Sequence, residues 1–109
     1  MAYDEALAAR IRDHFADNPD IVEKRMFGGV AYMFRGNMAV GTYEDGLMVR
    51  IGKSEHDSAV RQPGVTAMSM GGRTMAGWIV VDAEAIARDD VFQSWIERGV
   101  SYAGSVPPK

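Results

Sequence analysis

Between Ile21 and Ile51 the side chains change character at every second residue, and this alternation constrains the fold more than any other feature of the chain. Val30, Tyr32 and Phe34 share one parity, and Ala31 and Met33 the other. A strand turns successive side chains to opposite sides, so such a run reads as a strand with one buried face. Arg35-Gly36-Asn37 supplies a turn, and Met38, Val40 and Thr42 are then expected to share a face of the next strand. Glu44-Asp45-Gly46 turns the chain again before Leu47, Val49 and Ile51. Two short turns in succession make an antiparallel meander. Ile21–Phe27 is expected to add a first, weaker strand. Val65–Met70 and Met75–Val81 read as a further hairpin around Gly71–Thr74.

Helical periods flank these strands. Leu7, Ile11, His14 and Phe15 lie on one face of a helix over 3–16, stopped at 17–20 by a segment containing Pro19. Ser54 is expected to cap a short helix that Pro63-Gly64 ends. Asp82 can cap a turn at Ala83–Ala87, and Asp89 or Asp90 starts the last helix. Phe92, Trp95, Ile96, Gly99, Val100 and Ala103 make its apolar stripe, and 104–109 reads as a loosely ordered tail. The order α-β(3-4)-α-β(2)-α predicts a two-layer α+β fold, an antiparallel sheet with helices on one face. The 109 residues suit a single domain spanning 1–109.

Composition narrows the class. The chain has no cysteine, which removes disulfides, thiolate nucleophiles and cysteine metal sites and gives no sign of an oxidising compartment. No run approaches the roughly 20 apolar residues of a membrane span. The amino terminus is charged and amphipathic, unlike a signal peptide. A cytoplasmic location is expected. The net charge of −3 argues against direct nucleic-acid binding, which needs basic side chains in excess. Eight methionines are the unusual feature, seven of them in the central segment. Methionine fills irregular cores, the simpler reading, and also serves adaptable binding surfaces.

No residue set carries a reaction. Gly28-Gly29 precedes a strand rather than a helix, so a phosphate cradle on a helix N-terminus is not formed; a bend between strands is the better reading. Gly71-Gly72-Arg73 reads the same way. His14 and His56 have no partner at metal-ligating or catalytic spacing. The carboxylates sit mostly at helix starts and turns, and no serine lies in a nucleophile-elbow context. The chain is therefore expected to be no enzyme and to need no cofactor or metal. A basic and apolar set remains: Arg25, Met26, Phe27, Gly28, Gly29, Arg50, Arg73, Met75 and Trp78. Arginine, aromatics and methionine are enriched at protein interfaces, so an uncovered sheet face carrying them would suit a protein partner or self-association. The alternative is a small-ligand or anion site at the Gly28-Gly29 turn, served by Arg25, Arg50 and Arg73.

Five stretches in order resemble one family. They are RMFGG (Arg25–Gly29), GNMAVG (Gly36–Gly41), LMVRIG (Leu47–Gly52), GRTMAGWIVV (Gly72–Val81) and WIERGVSYAGSVPPK (Trp95–Lys109). Together they resemble the TfoX/Sxy N-terminal domain family, and most closely its short stand-alone members. The resemblance implies a two-layer α+β domain. For two-domain members it implies regulation of DNA-uptake competence genes, as a coactivator beside a cyclic-AMP receptor-type transcription factor. Those members carry a second, helical domain that the 109 residues do not include. The family offers no established catalytic residues to carry over.

Overall fold

A computed structural model describes residues 4–26 and 28–108. The chain opens with helix α1 (Glu5–His14), whose first turn is capped by Asp4: its carboxylate accepts from the backbone N–H groups of Ala6 and Leu7. Four strands follow, β1 (Ile21–Met26), β2 (Gly29–Phe34), β3 (Asn37–Tyr43) and β4 (Gly46–Arg50). Helix α2 (Lys53–Val60) leads to the hairpin of β5 (Val65–Met70) and β6 (Arg73–Val81). A single turn, α3 (Ala83–Ile86), and the long α4 (Asp89–Ser105) complete the chain. The expected strand end at Phe27 lies outside the described residues.

All six strands form one antiparallel sheet in the order β1-β2-β3-β4-β6-β5, so β1 and β5 are its edges. The expected α+β architecture is present. Register explains which face is covered. Tyr32 pairs with Val40, Val40 with Val49 and Val49 with Ile79, and all four are buried. These residues share one core with Leu7 and Ile11 of α1, Ala59 of α2, Ile86 of α3 and Phe92, Trp95 and Ile96 of α4. The helices therefore lie on a single sheet face. Burying each large side chain of α4 stabilises by about 1.5–3 kcal/mol, which makes that helix a major clamp on the sheet.

Two local expectations are corrected. Met38 and Val40 do not share a face. The register of β2 against β3 steps from Tyr32–Val40 to Met33–Met38, leaving Ala39 as an extra residue. Such a β-bulge inverts the parity of everything beyond it, so Val40 enters the core while Met38 joins Met33 on the other face. Ser54 is not the cap of α2: the helix already starts at Lys53, with Gly52 at the cap position and no side-chain bond there. Helix α4 runs on to Ser105, and the carbonyl of Pro107 accepts a hydrogen bond from the buried Asn37 amide at 2.9 Å. By contrast, Asp82 caps α3 as expected, accepting from the Ala85 N–H at 2.9 Å.

Candidate functional site

The sheet face away from the helices is built by the opposite parity. Val22 pairs with Met33, and Met33 with Met38, across three neighbouring strands. Gly41 pairs with Met48, and Met48 with Val80. Met26 from one edge strand and Met68 from the other line the same cavity, so this face is concave. The cavity is about 270 Å³ and is walled by Met26, Met38, Met48 and Met68, from four different strands. Gly28, Gly29 and Ala31 contribute backbone and small side chains, and Thr42, Tyr43 and Glu44 close one end. The Thr42 hydroxyl accepts from the Val30 N–H at 3.0 Å, so its oxygen is already engaged. A second hollow of about 290 Å³ shares Tyr43, Glu44 and Met68 and extends towards Thr66 and Val80.

The Gly28-Gly29 motif thus shapes a turn and one wall of a cavity. Gly28 adopts φ 76, a left-handed conformation that glycine takes without steric cost, and Gly29 begins β2. Among the described residues no arginine or lysine lines this cavity; its charged side chain is Glu44. The three arginines named for an anion site at this turn do not line the cavity. Arg25 pairs with Val30 on β1 and is exposed, and Arg73 is exposed where β6 starts. Arg50 pairs with Trp78, and its guanidinium carbon lies 5.2 Å from both the Trp78 and the Tyr102 ring centroids. Stacked on two aromatic faces, that charge is held by cation–π attraction. Met75 is half-buried, and Phe27 lies outside the described residues.

The structure therefore divides the expected site. Met26, Gly28 and Gly29 come together; Arg50 and Trp78 form a separate pair; Arg25, Arg73 and Met75 join neither. Sequence reasoning missed Met38, Met48 and Met68. The parity of Met48, beside Arg50 and opposite Leu47 and Val49, was the available signal for one of them. The bulge at Ala39 hid Met38.

Shifted proton affinities mark two ion pairs at the surface. Arg12 donates to Glu23 at 2.9 Å, which lowers the pKa of that carboxyl and raises that of the guanidinium. Arg88 holds Asp90 below the usual aspartate range in the same way. A larger, open groove of about 820 Å³ runs between α2 and α4. Its Glu55 is already bonded to Arg98 and its Asp90 to Arg88, and exposed serines make up much of the rest.

The fold and this face define a two-layer α+β domain whose sheet is clamped by helices on one side and lined with methionine on the other. The chain belongs to the TfoX N-terminal domain family, whose model matches residues 13–103. No curated protein and no solved structure matches the chain. Among the described residues no helix is long and apolar enough to cross a membrane.

Proposed function

We propose that this chain is a non-enzymatic, regulatory interaction module that takes a protein partner, or a second copy of itself, on its uncovered sheet face. One observation carries the reading. Val22, Met33 and Met38 form an apolar strip across β1, β2 and β3, and Val22, at 53% exposure, is the large hydrophobic residue left open to solvent among the described residues. The strip begins at an edge strand and runs into the methionine cavity through Met38. Contiguous exposed apolar surface marks interaction sites, and methionine adapts to a partner's shape. Membership of the TfoX N-terminal domain family supports a regulatory role, with transcription or competence control as the proposed setting and the cytoplasm as its place. The net charge of −3 favours a protein over nucleic acid as the direct partner.

The test is cross-linking and sedimentation of the wild-type chain against a Val22→Glu/Met33→Glu variant. Both positions are at least partly exposed, so the variant should fold. A specific complex or dimer that the variant loses is expected. A strictly monomeric wild type that recovers no partner, or a complex indifferent to the substitutions, would overturn the reading. A salt-sensitive shift of DNA by the wild type would replace it with nucleic-acid binding.

A further inference from the structure

The methionines are segregated. The helix-side core holds leucine, isoleucine, valine, alanine and aromatic residues but, among the described residues, no methionine at all. Met26, Met38, Met48 and Met68 instead converge from four strands on one cavity of the opposite face. If methionine served here only as a gap-filler, the main core would be its natural place.

We propose that this cavity binds a soft monovalent cation, Cu(I), through methionine thioether sulfurs. Thioethers are soft, uncharged donors that select Cu(I) over hard cations such as Mg²⁺ or Ca²⁺. The wall's charges agree with a cation: among the described residues it has no basic residue, and the acidic Glu44 is one of those that line it. Two of the four methionines face a glycine across the ladder, Met26 opposite Gly29 and Met48 opposite Gly41. The Met48 methyl lies 2.8 Å from the point a Cβ on Gly41 would occupy. A Cβ at 41 would also stand 2.8 Å from the Val30 carbonyl oxygen, so backbone packing requires glycine there, and that glycine leaves room for the Met48 methyl to lie across the ladder. Met48 and Met68 are 6% and 5% exposed, whereas Met26 and Met38 are half-buried. The inner pair supplies donors sheltered from water, and the outer pair gives an ion its way in. The inference goes beyond the proposed partner surface and does not depend on it.

The experiment uses the full chain and Ag(I), a redox-inert probe for Cu(I), in chloride-free buffer, followed by the ε-methyl NMR signals of methionine. A parallel anaerobic titration measures Cu(I) against a chromogenic chelator. One ion per chain is expected, with shifts confined to the methyls of Met26, Met38, Met48 and Met68 and no response to Zn(II). Met48→Leu/Met68→Leu conserves core volume and should abolish one-to-one binding of both ions, while Met75→Leu should leave it intact. Absence of saturable binding would overturn the proposal. So would shifts spread evenly over all methionines of the wild type, or undiminished binding by a folded double variant.

Discussion

The backbone N–H of Gly77 donates to Nδ1 of His56 at 3.0 Å, tying helix α2 to strand β6. The carbonyl of the same glycine accepts from Ile51 at 2.8 Å and from Gly52 at 3.3 Å. Both polar groups of Gly77 thus hold the corner where β4 passes into α2. His56 is a structural acceptor in this arrangement, and the bond requires an unprotonated Nδ1. His56→Ala would leave a partly buried N–H unpaired and should cost about 1 kcal/mol. Urea unfolding checks this: a lower midpoint with an unchanged slope is expected.

Gly99 lies on the face of α4 that meets the bulge in β3. A Cβ there would stand 2.5 Å from the Ala39 carbonyl oxygen and 2.8 Å from the Val40 side chain. Alanine is ordinarily better than glycine inside a helix by about 1 kcal/mol. The clash is with backbone, which cannot swing aside, so packing outweighs propensity. Gly99→Ala should lower stability by about 1–3 kcal/mol, read as a fall in Tm. Gly104→Ala is the control, because its added methyl would meet only the Phe34 ring, at 3.2 Å, and should cost less.

Acid should weaken the attachment of β1 to α1. The Glu23 carboxyl is held below its ordinary value of 4.5, above all by the hydrogen bond from Arg12, which outweighs the opposing effect of partial burial. The unfolded chain therefore binds more protons as pH falls. The stabilisation is fully present above the ordinary carboxyl pKa and is lost as pH drops through the folded-state value. Glu23→Gln should be slightly less stable at neutral pH and should show a flatter decline in acid. Denaturant midpoints measured across the acid range check both.

Asn37 is 2% exposed and spends its amide on the Pro107 carbonyl, 70 residues away. Asn37→Ala should free the carboxy-terminal residues at a cost of about 1 kcal/mol. Limited proteolysis would show earlier cleavage after α4, and amide exchange near Ser105 would quicken.

Much of the fold was legible because local patterns and tertiary demands agree. The stripe from Phe92 to Ala103 did become the clamp of α4, with Phe92, Trp95, Ile96, Gly99 and Ala103 buried. Leu47 and Val49 did face the core, as period two requires. The exceptions have local physical causes. Nothing in Asn37–Val40 announces a bulge, since it is a step in the register of β3 against β2, a relation between strands, with Ala39 lying against Gly99 of α4. Arg25, Arg50 and Arg73 looked like one basic set because strands close in sequence invite grouping. Register placed them apart.

Sequence alone determined the alternation of helices and strands, the apolar stripes of the first and last helices and the absence of a cysteine chemistry, because these depend on residue type and spacing within one element. Only the tertiary structure decided that four methionines from four strands meet, since sheet order, curl and a one-residue bulge bring together positions as distant as Met26 and Met68. Those are relations between elements, and a periodicity read along the chain carries no information about them.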